Sequence, residues 1–247
     1  MFKKHLTIIA LAAMFSMSLM PSVVTAEAIN QLMANEVETY LMGKFDPAKH
    51  GAFARVPSHY ANRSGYYLRQ ETLNAFARMH EAASKDGVRL IILSATRNFN
   101  YQRYIWERKW KERRKSGLNP KAKALSILNY NSMPGTSRHH WGTEIDLNSF
   151  NNRWFEYGKG LKLYSWLQAN AAKFGFHQPY TAKNSKRPHG YNEEKWHWSY
   201  TPLSIPMLRD ATIAISDSKI RGFIGSETAT QIGILKHYIL GVSESCR

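Results

Sequence analysis

The sequence predicts an α+β fold in which a small antiparallel sheet is flanked by helices, with an extra helical segment at the C-terminal end. Two short runs are typical of strands: Val88 to Ser94 is almost continuously apolar, and Thr143 to Asn148 alternates apolar with polar residues. Stretches with helical spacing lie before, between and after them. At 247 residues the chain is long enough for one well-buried domain and short for two.

The remaining elements follow from periodicity and from turn residues. Pro47, Gly51, Pro57 and Gly65 predict a polar, aromatic loop after the first helix. A third strand is expected from Trp196 to Tyr200, which is rich in aromatic residues. Helices are expected over residues 28–42, 71–85, 101–115, 121–129, 161–173, 204–215 and 228–240.

The first 26 residues have the features of a secretory signal peptide. Lys3 and Lys4 precede an apolar run from Leu6 to Met20, and Ala26 provides a small residue for cleavage. The alternative is an uncleaved membrane anchor, but the apolar core is shorter than the ~20 residues that a spanning helix needs. We therefore expect an exported protein of the periplasm or cell envelope, without a transmembrane segment after cleavage.

The chain is strongly basic, with a net charge of +16 that falls to +14 when the leader and its two lysines are removed. Such a charge attracts polyanions, which for an exported protein are anionic cell-wall or envelope polymers rather than nucleic acid. The basic stretch from Tyr101 to Lys115 could bind nucleic acid or a membrane surface. We favour a solvated helix face whose tryptophans, Trp106 and Trp110, pack inward. The only cysteine, Cys246, is either a free thiol or an intermolecular link.

Two clusters of histidines and acids carry the chemistry of a metal site. A catalytic zinc site needs three nitrogen, sulfur or oxygen ligands from the protein and one open position, and His139, Asp146 and His197 can supply such a set. Strand alternation also allows Glu144 in place of Asp146. His140 competes with His139, because neighbouring residues of an extended chain point in opposite directions.

Glu194 is the candidate general base of this site. It precedes His197 by three residues, which on an ideal strand would place the two side chains on opposite faces. We therefore predict a turn or bulge between them. His80, on the apolar face of the helix over residues 71–85, is interpreted as a packed histidine and not as a ligand.

Three ordered motifs resemble those of a known family. The segments Ser137-x-His139-x-x-Gly142-x-x-x-Asp146 and Glu194-x-Trp196-His197 are similar to the signature of the VanY-like D-alanyl-D-alanine carboxypeptidases, zinc peptidases of the bacterial cell wall with the LAS (hedgehog-like) fold. The resemblance includes Ser94-Ala95-Thr96-Arg97-Asn98-Phe99-x-x-Gln102 and Phe174-Gly175-Phe176. It extends from about Leu73 to Tyr200.

The resemblance implies a role for each matched residue. His139, Asp146 and His197 would bind one Zn²⁺ per chain, and Glu194 would be the catalytic base. Arg97 would stabilise the oxyanion or hold a substrate carboxylate, and Gln102 and Ser137 would line the substrate cleft. The sequence departs from the family at Glu144, where many members have a small residue, and at Ala95-Thr96, which replaces the commoner Gly-Tyr. The added carboxylate could support a ligand histidine or alter which substrates fit.

Together these observations predict an exported, monomeric zinc peptidase that acts on peptidoglycan stem peptides as a D-alanyl-D-alanine carboxypeptidase. The alternatives are an endopeptidase or a D-Ala-D-Ala dipeptidase with the same site, and a non-catalytic wall-binding module that retains zinc. We expect four segments along the chain: a signal peptide (1–26), an N-terminal helix and loop (27–70), a zinc peptidase catalytic domain (71–202) and a helical C-terminal extension packed on that domain (203–247).

Overall fold

The computed structural model describes residues 26–114 and 116–247, so that the predicted signal peptide lies outside the described residues except for Ala26. The helices are α1 (Ala26–Leu41), α2 (Gln70–Lys85), α3 (Phe99–Glu112), α4 (Pro120–Ile127), α5 (Gly158–Asn170), α6 (Thr201–Ala214) and α7 (Ala229–Ile232). The strands are β1 (Phe53–Arg55), β2 (Tyr67–Arg69), β3 (Ile92–Ser94), β4 (Glu144–Leu147), β5 (Phe176–His177) and β6 (His197–Tyr200).

A four-stranded antiparallel sheet with the order β3-β4-β6-β5 forms the centre of the fold, so the predicted α+β class with a small antiparallel sheet is confirmed. Its register places Ser94 opposite Asp146, and Asp146 opposite His197. Directly opposed residues on antiparallel strands have Cβ atoms about 4.5–5.5 Å apart. The sheet therefore brings an acid and a histidine together from positions that are far apart in the sequence.

Two apolar clusters hold the helices in place. The first lies between the sheet and the helices α2 and α5, and includes Phe76, Ile145 and Leu167, each fully buried. The second joins α3, α4 and α6 to the C-terminal segment and includes Trp106 and Ile234. Residues after α6 thus belong to the same packed body as the sheet's neighbouring helices.

The basic helix has the orientation that its sequence predicts. The side chain of Asn98 accepts a hydrogen bond from the backbone N–H of Tyr101 and caps the start of α3. Trp106 and Trp110 are buried, while most of the basic residues face solvent. The helix ends at Glu112, and Lys115, the last residue of the predicted helix, lies outside the described residues.

Three details of the predicted elements were wrong. The predicted loop after α1 contains β1 and β2, which pair as a separate two-stranded sheet and are too short to show alternation. Only Ile92–Ser94 of the predicted strand over residues 88–94 is in the ladder. The helix predicted over residues 228–240 is interrupted at Gly233, whose φ of 73° breaks it into α7 and a single π turn.

Two further findings concern the surface and the thiol. Leu32, Met33 and Val37 of α1 are exposed, so its helical spacing does not correspond to a buried face. Cys246 is a free thiol and fully buried, which leaves its sulfur without access to a second chain in this conformation.

Within the described ranges, no helix has both the length and the apolar character needed to cross a bilayer.

Candidate metal centre and active site

Three side chains converge beside the paired strands β4 and β6. His139 comes from a 3₁₀ turn over Arg138–Trp141, Asp146 from β4 and His197 from β6. One potential ligand atom from each lies within 4.8 Å of the others, and all three residues are buried. These are the three residues that the sequence motifs single out as a set, and the sheet register explains how two of them meet.

The donor set fits a divalent cation. His139 Nδ1 donates a hydrogen bond to the carbonyl of Ala95 at 2.8 Å, which leaves the lone pair of Nε2 facing the cluster. Both His139 Nε2 and Asp146 Oδ1 are buried without a hydrogen-bond partner. Burial, together with the charge of Arg97, lowers the pKa of His139 to about 4, so the ring is neutral at pH 7. Neutral imidazole and carboxylate are ligands that zinc prefers.

His197 presents its other nitrogen to the cluster. Its Nε2 donates to Glu144 Oε2 at 2.8 Å, while Nδ1 lies 3.4 Å from Asp146 Oδ1 and 3.0 Å from Glu194 Oε2. Burial lowers the pKa of His197, but the hydrogen bonds to Glu144 and Glu194 and the charge of Asp146 outweigh it and raise the pKa to about 10. A metal ion at this site would therefore replace a proton on Nδ1.

His140, the competing histidine, uses both ring nitrogens elsewhere. Nδ1 donates to the carbonyl of Arg97 at 2.6 Å, and Nε2 accepts from the backbone N–H of Gly135 at 3.1 Å. Gly43 lies so close that a Cβ there would be 2.4 Å from His140 Nδ1. The ring therefore has no free lone pair for a metal and instead hydrogen-bonds to the backbone at Arg97 and at Gly135.

Glu144, the competing carboxylate, points at the far side of His197. It is fully buried and accepts hydrogen bonds from Ser199 Oγ at 2.7 Å and Thr143 Oγ1 at 3.0 Å, with Arg138 Nη2 at 3.3 Å. Burial raises the pKa of Glu144, but the charge of Arg138 and the hydrogen bonds from His197 and Ser199 outweigh it and lower the pKa to about 2. The carboxylate is thus ionised, and it orients the His197 ring from the side opposite the cluster.

Arg138 was missed by sequence reasoning. Its side chain is fully buried, lies over the Trp141 ring at 4.8 Å and donates to Ser199 Oγ at 2.7 Å. A buried, ionised glutamate is costly unless a cation and hydrogen bonds compensate its charge. Arg138 lies within the same motif as Glu144, so an unexplained acid at position 144 was the signal that could have pointed to it.

A turn brings Glu194 beside His197, as the three-residue spacing predicts. The backbone N–H of His197 donates to the carbonyl of Glu194 at 3.2 Å, and the two side chains are 3.0 Å apart. Burial raises the pKa of Glu194, against the opposing hydrogen bond from His197. A carboxylate with a raised pKa is better suited to accept and return a proton near neutral pH.

The remaining predicted site residues line one cavity of about 1150 Å³ with the cluster. Arg97 Nη1 donates to Ser94 Oγ at 3.0 Å and lies 3.7 Å from Asp146 Oδ2, and Nη2 lies 3.5 Å from Ser137 Oγ. Gln102 donates to the carbonyl of Ser132 at 2.8 Å, and its Oε1 is buried without a partner. The structure thus brings all seven predicted site residues to the wall of one cavity.

Comparisons with known proteins agree on the family that this chain resembles. The family model of the VanY D-alanyl-D-alanine carboxypeptidases matches residues 65–203. The chain is 31% identical over 137 residues to the proposed carboxypeptidase YodJ of Bacillus subtilis, covering 54% of this chain and 46% of that protein. It is 29% identical over 125 residues to a D-alanyl-D-alanine carboxypeptidase of Enterococcus faecalis, covering 51% and 45%. The chain thus spans slightly less than half the length of these relatives.

A solved structure shares the fold. The LdcB LD-carboxypeptidase superposes with a TM-score of 0.51 at 19% identity, covering 80% of this chain and 78% of that one. At this identity the likeness shows the architecture, with the helices arranged around a small antiparallel sheet.

Proposed function

The chain belongs to the VanY family of D-alanyl-D-alanine carboxypeptidases, and on this premise we propose that it is a zinc peptidase that releases the terminal D-alanine of peptidoglycan stem peptides. The observation that carries the proposal is the pair of unpartnered atoms, His139 Nε2 and Asp146 Oδ1, facing His197 Nδ1 beside a buried Glu194. A buried lone pair without a partner costs free energy unless something binds it. A cation in this position supplies the missing partner.

His139, Asp146 and His197 would hold one zinc ion per chain through Nε2, a carboxylate oxygen and Nδ1. Bound zinc supplies a Lewis acid that polarises the scissile carbonyl and makes a water molecule acidic near neutral pH. Hydrogen bonds to Ala95 and Glu144 fix the two rings, so that the lone pairs are oriented before the metal arrives.

Glu194 would take the proton of the attacking water and deliver it to the leaving amine. Its carboxylate has two properties that suit this transfer: it is buried within the cavity, and its pKa is raised. Because the same group serves as base and then as acid, no second titrating residue is needed for the step.

Arg97 would bind the negative charge of the substrate. Its guanidinium group lies at the cavity wall, held by Ser94 and Ser137, and it is permanently charged. It could stabilise the oxyanion that develops at the scissile carbonyl or hold the terminal carboxylate of the substrate. Ser137 acts through this contact, because its hydroxyl supports the guanidinium group.

The cellular setting is part of the proposal. A substrate in the cell wall requires export, which the signal-peptide features of residues 1–26 would provide, and we propose a monomer in the periplasm or cell envelope. The basic surface would favour contact with anionic envelope polymers.

Mass analysis of muropeptides digested by the purified protein tests the proposal. We expect pentapeptide stems to lose one alanine, with no product when the metal is chelated and a rate about 10²–10⁴-fold lower when Glu194 is replaced by Ala. Loss of two alanines as a unit would instead establish a dipeptidase, and conversion of dimers to monomers an endopeptidase. Binding to peptidoglycan without any product would identify a wall-binding module.

A further inference from the structure

A basic stripe on α3 lines the same cavity as the metal centre. Gln102, Ile105, Lys109 and Arg113 contact the cavity, and their spacing of i, i+3, i+7 and i+11 places them on one helix face. Gln102 lies at the end nearest the cluster. The lining of the cavity therefore extends from the cluster along this helix as far as Arg113, and we call this part of the cavity the arm.

The positive charges of this arm are largely unpaired. Among the described residues, neither Lys109 nor Arg113 has an acidic side chain within ion-pair distance. Arg113 Nη1 donates only to the carbonyl of Lys109 at 3.0 Å, and Arg108 lies 3.9 Å from Glu112. The acids that line the cavity are Asp46 and the two at the cluster, Asp146 and Glu194.

The length of the arm exceeds what a terminal dipeptide occupies. The eleven-residue step from Gln102 to Arg113, which directly follows the last residue of α3, spans roughly 16 Å at about 1.5 Å per residue. An extended peptide advances about 3.3 Å per residue, so the arm accommodates roughly five residues. The cavity volume of about 1150 Å³ is also above the usual range for a small-molecule site.

The proposed reaction fixes which part of the substrate enters the arm. A carboxypeptidase leaves a single residue on the leaving side of the scissile bond, so any longer stretch of chain lies on the acyl side. We propose that the arm along α3 binds the acyl side of an acidic peptide of about five residues, with Lys109 and Arg113 as specificity-determining residues that pair with its carboxylates. This inference rests on the proposed function for the direction of the chain.

Two synthetic substrates test the pairing. Both are five-residue peptides ending in D-Ala-D-Ala, one with glutamate and the other with glutamine at the second position from the N-terminus. We expect the zinc-loaded enzyme to prefer the glutamate peptide by about five-fold in kcat/KM, chiefly through KM, because exposed charge pairs are weak. The preference should fade at about 1 M salt, where the Debye length is near 3 Å.

Matched variants locate the effect on the helix. The double variant Lys109→Gln/Arg113→Gln should lose the preference, with the KM of the glutamate peptide rising to that of the glutamine peptide. Lys111→Gln removes a charge from the opposite, solvent-facing side of α3 and should retain the preference. Melting temperatures check that all three proteins are folded. Equal kcat/KM values for the two peptides with the unaltered enzyme would overturn the inference, as would a preference that survives the double variant.

Binding measurements separate this inference from the proposed reaction. Fluorescence anisotropy with labelled peptides on the zinc-loaded Glu194→Ala protein reports the arm without any hydrolysis. If the unaltered enzyme cleaves neither peptide and the Glu194→Ala protein still prefers the glutamate peptide through Lys109 and Arg113, the proposed reaction fails and the acidic-peptide arm stands. If cleavage occurs and binding shows no preference, the arm fails and the reaction stands.

Discussion

Two kinds of charge lie around one cavity. Behind the candidate metal centre, Glu144 and Arg138 are fully buried and paired with each other and with Ser199. Along α3, Lys109 and Arg113 are partly exposed, with no acid of the described chain beside them. The buried charges hold the side chains around the candidate metal centre in place, and in our proposal the partly exposed charges bind the substrate.

The difference follows from solvation. A buried charge is costly unless its partner is close and its remaining hydrogen bonds are made, so removal of one partner is strongly destabilising. An exposed charge is already stabilised by water and loses little when its neighbour is removed. Variants in the two regions should consequently differ in size of effect and in the property that changes.

The largest difference is expected between two adjacent histidines. His139→Ala removes a proposed ligand and should lower zinc affinity by more than about 100-fold, since even loss of a hydrogen-bond partner to a ligand costs about 10–100-fold. His140→Ala should retain zinc but reduce stability, because its ring joins Arg97 and Gly135 through the backbone. Zinc titration and denaturant unfolding measure the two effects. Loss of zinc from the His140 variant alone would show that the ligand assignment is wrong.

Replacing Glu194 by Ala should reduce kcat by about 10²–10⁴, the usual contribution of a general acid–base group. Bound zinc, measured by elemental analysis, should be unchanged, because Glu194 is outside the proposed ligand set. Glu193→Ala is the matched control, since it removes an acid one residue away that is outside the cavity wall. Full activity in the Glu194 variant would refute the proposed proton transfer.

The buried pair gives the next largest effect, on stability. Glu144→Gln leaves Arg138 buried without its counter-charge and should lower the free energy of unfolding by about 3–5 kcal/mol in the metal-free protein. Arg138→Met combined with Glu144→Gln should recover most of that loss. Glu81→Gln, in the exposed pair with Lys85, is the control and should have no measurable effect. Equal losses at both sites would contradict the distinction between buried and exposed charge.

The smallest effect is a pH dependence. The pKa of Glu144 is about 2 in the folded protein, compared with 4.5 for a glutamate that lacks these contacts. The stabilisation from this lowered pKa is complete above about pH 4.5 and is lost as the pH falls toward 2. The stability difference between the unaltered protein and Glu144→Gln, both without metal, should therefore shrink over that interval in chemical denaturation. A difference that stays constant would show that Glu144 is not ionised in the fold.

The motifs allowed the fold class and the set of candidate site residues to be predicted from the sequence. Alternation placed Glu144 and Asp146 on one face of β4 but did not distinguish between them. The pattern of a strand shows which face a side chain is on, but not how far it lies from side chains of other segments. Sheet register does distinguish them: Asp146 is opposite His197, and Glu144 is opposite Ser199. That register depends on contacts between segments about fifty residues apart.

Other features lacked a sequence signal. Strands β1 and β2 have three residues each, too few for periodicity to emerge. The cavity-facing side of α3 could not be predicted either, because an exposed basic face has the same sequence pattern whether it meets solvent or a cavity. Only the packing of Trp106 and Trp110 shows which side of the helix remains for Lys109 and Arg113.

The long connection between β5 and β6, residues 178–196, has a consequence for evolution and for engineering. These strands are neighbours in the sheet, yet the connection carries Tyr180, Tyr191, Glu194 and Trp196 to the cavity wall. Its residues also support the cluster: Tyr180 packs edge-on against the His197 ring at 4.8 Å between ring centres, and Gln178 donates to the carbonyl of Glu194 at 3.2 Å. A change of length or sequence between His177 and Glu194 would therefore move Glu194 together with the cavity wall, so the wall and the candidate general base have to be altered as one unit.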